Sequence, residues 1–175
     1  LDAEKLAWVK ALKNERRGRL AEYARAFSLA YREGGTPWSI PGDLAFPCAT
    51  QNEIDRRDAE ALVANGCRGV AEGANMPSTA AAIEVFRRGG VAFAPSKAAN
   101  AGGVAVSGLE MTQNSMRLSW SRDELDARLR QIMQAIHDRC VRFGRRPDGG
   151  VDYLVGANLA GFVKVADAMC SFGVM

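Results

Sequence analysis

The chain has 175 residues, 47% of them hydrophobic and 25% charged, the ordinary make-up of a globular protein with room for one domain and its core. Its net charge is +3, from 23 basic and 20 acidic side chains, too even a balance for a general nucleic-acid binder. Cys48, Cys67, Cys140 and Cys170 form no C-x-x-C pair and His137 is the single histidine, so the close ligand pairs of a zinc site are missing and no metal is expected.

Scattered cysteines in a chain of this size are expected to be buried, reduced thiols of a cytoplasmic protein. No apolar run is expected to reach the ~20 residues of a membrane span. The charged, helix-patterned start does not read as a signal peptide. A first residue Leu1 rather than Met fits a segment of something longer.

In chain order, residues 1–13 predict an amphipathic helix: Asp2 is placed to cap it, and Leu6, Val9 and Leu12 recur at helical spacing. A second helical stretch covers 19–27, followed by a breaker cluster at 33–37. Leu44-Ala45-Phe46, halted by Pro47, reads as a short buried strand. Residues 55–65 predict a helix stopped by Gly66, and 69–72 a second strand. Ser78 or Thr79 caps a further helix that ends at Gly89-Gly90, and 91–94 is a third strand. Short strands alternating with helices of about ten residues are the pattern of parallel β-α-β units. From Gly103 onward the pattern is helical: 104–118, then 121–143 behind the capping box Ser121-x-x-Glu124, then 158–172 after a polar loop at 144–150. The fold class is therefore α/β with parallel strands over residues 1–100, followed by a C-terminal helical segment over 101–175.

Ligands of open parallel sheets bind outside the carboxyl ends of the strands. The residues after the three strands are Pro47-Cys48-Ala49-Thr50-Gln51-Asn52, Glu72-Gly73-Ala74-Asn75-Met76-Pro77 and Pro95-Ser96-Lys97-Ala98-Ala99-Asn100-Ala101-Gly102-Gly103. All three are rich in small residues and carboxamides. Small residues let a ligand approach the backbone, and carboxamides both donate and accept hydrogen bonds, which suits sugar hydroxyls and an amide. The G-x-G-x-x-G run of a dinucleotide fold is not in the chain.

The stretches 46–53 (FPCATQNE), 71–77 (AEGANMP), 94–103 (APSKAANAGG), 107–111 (SGLEM), 156–162 (GANLAGF) and 164–169 (KVADAM) closely resemble the hexameric bacterial NADP-specific glutamate dehydrogenases, of the glutamate/leucine/phenylalanine/valine dehydrogenase family. The resemblance runs in order through essentially the whole chain. It implies the later part of a Rossmann-like nucleotide-binding domain (residues 1–100) and helices returning to a substrate domain (101–175).

The resemblance implies contacts for Ala49 and Thr50 beside the adenosine part of the coenzyme, for Asn75 at the ribose next to nicotinamide, and for Asn100 at the nicotinamide carboxamide. It implies that Ser107 binds the side-chain carboxylate of glutamate, with Val104 lining the same pocket. Val104 and Ser107 are three apart, hence on one helix face. A helix beginning near Gly102 would aim free N–H groups at an anion, and the two glycines would keep side chains away from the coenzyme. Each residue also has a plainer reading. Ser107 could bond back to the carbonyl four residues earlier, Asn100 could be only a helix cap, and Asn75 only a turn residue. No catalytic residue is expected within the chain, because the family's catalytic lysine and its aspartate partner belong to the N-terminal domain; Lys97 is expected to be a loop or coenzyme-edge charge.

The reaction implied is the reversible oxidative deamination of L-glutamate to 2-oxoglutarate and ammonia with NADP (NAD being possible), in a cytoplasmic homohexamer with no nucleic-acid or membrane partner. Two alternatives stand beside it: a structural or regulatory segment acting through subunit packing, and a related dehydrogenase of another amino acid, against which the hydroxyl of Ser107 argues.

Overall fold

The computed structural model describes residues 2–173. They form two compact units, residues 2–37 and 38–173; residue 1, where the first helix was expected to begin, and residues 174 and 175 lie outside the description.

The first unit is a pair of helices, α1 (Ala3–Asn14) and α2 (Leu20–Ala26). Asp2 caps α1 as expected, its side chain accepting the N–H of Lys5 at 2.8 Å. Trp8, Tyr23 and Phe27 form an aromatic cluster with ring centroids 5.0–5.7 Å apart, and the Arg16 guanidinium lies 4.4 Å from the Trp8 ring. Leu12 is fully buried.

The second unit holds the sheet. Strands β1 (Leu44–Ala45), β2 (Gly69–Ala71) and β3 (Ala92–Ala94) are parallel and ordered β1-β2-β3, with Ala45 opposite Val70 and Val70 opposite Phe93. The crossovers are α3 (Arg56–Ala64) and α4 (Ala80–Arg88). Asp55 caps α3 in a box with Asp58, and Gly66 leaves it at φ +83°. Of the two candidate caps for α4, Thr79 serves: its hydroxyl accepts the Ala82 N–H at 3.2 Å. Spacing of four puts Ala82 and Phe86 on one buried face of α4. Phe86 stacks on Phe93 with centroids 6.0 Å apart, and Trp38, Ile54, Leu62 and Val70 complete the core.

The helical part differs from expectation at its joints. A short helix, α5 (Ser96–Ala99), directly precedes α6 (Ala101–Met116), so the glycine pair lies inside the first turn of α6. Gly102 and Gly103 also divide their roles. A Cβ on Gly102 would meet Leu129 Cδ1 at 3.3 Å and Met133 Sδ at 3.5 Å, whereas one on Gly103 would face open space. Gly102 thus serves packing against α7 (Arg122–Gly144); only Gly103 leaves room at the surface. The last helix, α8 (Tyr153–Phe172), starts five residues before the predicted position, because Asp152 caps it by accepting the Val155 N–H at 3.0 Å. It packs closely on α7 where Gly156 meets the carbonyl of Cys140 and Gly144 meets that of Asp152.

Two expectations are corrected. By length and composition α8 is long and apolar enough to cross a membrane, with a mean hydropathy of 1.2 and few of its residues buried, although Asn158, Lys164 and Asp167 interrupt it. The sequence reading failed there because it counted uninterrupted apolar runs. All four cysteines are free, but only Cys67 and Cys140 are buried; Cys48 and Cys170 are exposed.

Candidate functional site

The three loops at the carboxyl ends of the strands are tied into one rim by hydrogen bonds, backbone to backbone between the first two and through side chains to the third. The carbonyl of Pro47, after β1, accepts the N–H groups of Gly73 (3.0 Å) and Ala74 (2.9 Å), after β2. A Cβ on Gly73 would meet the Cys48 thiol, which would have to turn aside. Further along, Asn52 N–H donates to Met76 O and Ile54 N–H to Pro77 O, both at 2.9 Å. The loop after β2 reaches the third segment through Met76 N–H, which donates to the Ser96 hydroxyl at 3.5 Å. Asn52 and Met76 both take positive φ, +56° and +48°, so the rim is built from sharp turns held by neighbours.

Two of the predicted contact residues meet directly. The Asn100 amide nitrogen Nδ2 donates to Asn75 Oδ1 at 2.8 Å and to the carbonyl of Ala74 at 3.2 Å. The Ala74 carbonyl accepts only, which fixes Nδ2 as the atom of Asn100 that faces it, and hence the oxygen of Asn75 as its second partner. The pair is left with one acceptor, Asn100 Oδ1, and one donor group, Asn75 Nδ2, that have no protein partner among the described residues. A primary carboxamide offers a donor that matches Asn100 Oδ1, and a hydroxyl beside it an acceptor that matches Asn75 Nδ2. Asn100 makes no side-chain cap bond to α6, so the plain capping reading of this residue does not describe it.

Ala49 and Thr50 are exposed in the loop after β1, with Ala49 N–H donating to Glu53 Oε1 at 3.2 Å. Val104, 78% exposed, and Ser107, also exposed, follow Asn100 along α6. Among the described residues the Ser107 hydroxyl has no partner, whereas Thr112 Oγ1 donates to the Gly108 carbonyl at 2.9 Å; the back-bonded reading fits Thr112 and not Ser107. At 1.5 Å per residue Ser107 stands about 10 Å along the axis from Asn100, about 20° short of two full turns and so on nearly the same face.

The profile of the glutamate/leucine/phenylalanine/valine dehydrogenase family matches residues 2–173. The NADP-specific glutamate dehydrogenase of Salmonella typhi is 58% identical over 172 residues, covering 98% of this chain and 38% of that protein. The NAD(P)-specific glutamate dehydrogenase of Xylanibacter ruminicola is 53% identical over 174 residues, covering 99% and 39%. A solved structure of Plasmodium falciparum glutamate dehydrogenase 2 superposes with a TM-score of 0.92 at 45% identity, over 100% of this chain and 39% of that one. The chain belongs to this dehydrogenase family. It spans about two fifths of the length of the relatives it matches.

Within this member of the family, two residues of the rim have roles that the sequence did not reveal. Glu72, immediately after β2, is 3% exposed. Its Oε2 accepts the Ser96 N–H at 2.8 Å and its Oε1 the Ser78 N–H at 3.2 Å. Only an acidic residue at a strand end, ahead of Gly73, could have drawn attention to it. Lys97, expected as a loop charge, donates to Asn158 Oδ1 of α8 at 2.6 Å, so it links the rim to the last helix.

A hollow of about 490 Å³ bordered by Arg87, Arg88, Arg146 and Asp152 opens beside Gly90–Ala92, at the amino end of β3. That is the wrong end of a parallel sheet for the site, and each of its arginines is already paired with a carboxylate.

Proposed function

We propose that this chain supplies the coenzyme rim and the substrate-carboxylate helix of an NADP-dependent glutamate dehydrogenase, which converts L-glutamate reversibly to 2-oxoglutarate and ammonia. The observation that carries the reading is the Asn75–Asn100 pair, which presents one free acceptor and one free donor group at the carboxyl ends of the strands. Bound NADP would take up a hydride from the α-carbon of glutamate. Asn100 Oδ1 accepts from the nicotinamide carboxamide and so orients the ring; Asn75 Nδ2 donates to the adjoining ribose. Ala49 and Thr50 flank the adenosine part. Ser107 donates its hydroxyl to the far carboxylate of the substrate, and Val104 covers the methylenes between. Gly103 leaves open space where a side chain would crowd the ring. The choice of NADP follows the names of the relatives, one NADP-specific and one NAD(P)-specific.

In the same reading residues 1–100 belong to the nucleotide-binding domain and 101–175 lead back to a substrate domain that carries the catalytic lysine. Support comes from the apolar side chains left uncovered on α6 and α8: Met111 is 68% exposed, Phe162 68% and Phe172 84%. The same reading makes the full-length enzyme a cytoplasmic homohexamer; sedimentation of the full-length protein tests the assembly size, and cell fractionation the compartment.

The test is initial-rate kinetics. A full-length enzyme carrying these residues should oxidise NADPH only when 2-oxoglutarate and ammonia are both present, and the 175-residue chain alone should do nothing. Turnover by the chain alone, or none by the full-length enzyme with these substrates, overturns the reading.

A further inference from the structure

We propose that Glu72 is a positioning residue for the nicotinamide end of the coenzyme: its buried carboxylate fixes the spacing of Asn75 and Asn100. The proposal rests on the function proposed above.

Glu72 leaves β2 with its own N–H still in the sheet, donating to Ala94 O at 3.1 Å. Its backbone is therefore fixed, and its side chain reaches out from a rigid base. One carboxylate oxygen closes the loop that contains Asn75, because it holds Ser78 N–H across the span 72–78. The other holds Ser96 N–H, the first amide of α5, and α5 ends at Asn100. Asn75 is thus three residues from each of the two bonded positions of its loop, and Asn100 four residues from the other anchor. The other side-chain ties between the two segments are the Ser96 hydroxyl, which accepts the Met76 N–H at the longer distance of 3.5 Å, and the Asn100 carboxamide itself; Glu72 is the one that joins them from a buried position. The acceptor–donor pair offered to a ligand depends on a separation of 2.8 Å between the two carboxamides, and hydrogen bonds weaken steeply away from ideal geometry.

The chemistry of the carboxylate is specific to the task. Both anchors are N–H donors, so both side-chain oxygens must accept. In Glu72→Gln the shape is kept, but one position becomes NH2 and meets an N–H donor head on. In Glu72→Asp both oxygens remain, but the reach is one methylene shorter and the two anchors cannot both be held. Neither change touches Ala49, Thr50 or Ser107, so the adenosine end and the substrate carboxylate keep their own contacts.

The experiment compares two ligands in the full-length enzyme. Fluorescence titration gives Kd for NADPH and for adenosine 2′,5′-bisphosphate, which carries the adenosine and phosphate end but no nicotinamide. Glu72→Gln is expected to weaken NADPH at least tenfold, to leave the bisphosphate within about twofold, and to raise the KM for NADP more than that for glutamate. Equal loss of both ligands, or no loss of either, overturns the proposal. If Glu72→Gln does not unfold cooperatively, Glu72→Asp is read by the same criteria; failure of both variants to fold makes the residue purely structural and also overturns it. Asn100→Ala separates this idea from the reading beneath it. If Asn100→Ala weakens NADPH selectively and Glu72→Gln does not, only the role of Glu72 falls. If Asn100→Ala leaves NADPH binding unchanged, the proposed function falls with it.

Discussion

Replacing Ser107 by alanine in the full-length enzyme should raise the KM for glutamate strongly while sparing the fold and the coenzyme. The hydroxyl is exposed and has no partner among the described residues, unlike those of Thr112 and Ser171, which donate to carbonyls four residues back. Its removal breaks no bond inside the chain, so stability should change by less than about 0.5 kcal/mol, the usual range for surface substitutions. A hydroxyl donated to a carboxylate contributes about 1.5–3 kcal/mol, which at about 1.4 kcal/mol per decade corresponds to roughly a 10- to 100-fold rise in KM. The assay varies glutamate at saturating NADP, then NADP at saturating glutamate, following absorbance of the reduced coenzyme. A second substrate sharpens it: norvaline lacks the side-chain carboxylate, so the wild type and Ser107→Ala should handle it alike. Equal losses for glutamate and NADP, or the same loss with norvaline as with glutamate, would refute the assignment of Ser107 to the substrate carboxylate.

Gly103→Ala and Gly156→Ala should behave oppositely. A methyl on Gly103 meets open space, so the helix gains up to about 1 kcal/mol of propensity while coenzyme affinity drops; a methyl on Gly156 meets the Cys140 carbonyl and should lower the denaturant midpoint through about 1–3 kcal/mol of overpacking. Phe86→Ala empties the fully buried centre of the second unit and should destabilise it by about 3–5 kcal/mol in urea unfolding. A thiol reagent should label Cys48 and Cys170 rapidly, and Cys67 and Cys140 only on unfolding; rapid labelling of all four would contradict the packing of α7 on α8. Burial pushes the Cys140 thiol above its ordinary value of 9.0. The unfolded chain therefore loses that proton first: this contribution to stability is fully present below pH 9.0 and is lost as pH rises through the raised folded value. Cys140→Ala should flatten that part of the alkaline slope in denaturant midpoints.

The strands, the crossover helices and the rim were legible because each carries local chemistry, although β1, expected to be buried, buries only Ala45 and leaves Leu44 and the adjoining Phe46 58% and 60% exposed. Asp55, Thr79 and Ser121 are caps whose partners lie two or three residues away, and short apolar runs ending at Pro47 or Gly73 can only be strands that turn. The start of α8 was misplaced because Gly149-Gly150-Val151-Asp152 looks like loop continuing into helix; what ends the loop is a pairing of Arg145 with Val151, which sequence periodicity does not express. The division of labour between Gly102 and Gly103 was invisible for the same reason: it depends on Leu129 and Met133, some thirty residues later. Asn75 and Asn100 could be named singly, yet nothing local says that they bond each other across 25 positions. Glu72 was passed over because a lone acidic residue in a turn is ordinarily solvated, and only its burial and two bonded amides set it apart.

Asn100 lies where three constraints converge. It closes α5, precedes α6 and bonds the loop after β2, so its carboxamide is referenced to the sheet and its backbone to the helix that carries Ser107. In the proposed reading that makes α6 a ruler. Seven residues of helix put the nicotinamide contact and the carboxylate contact about 10 Å apart on nearly one face, and a helix cannot change that interval by side-chain motion. The distance from the reacting α-carbon to the far carboxylate is then read against a fixed length rather than against an adjustable pocket. Inserting one alanine between Val104 and Ser107 would turn the hydroxyl by about 100° and advance it by about 1.5 Å. Discrimination for glutamate over norvaline should collapse while the Asn75–Asn100 pair, and with it coenzyme binding, stays in place.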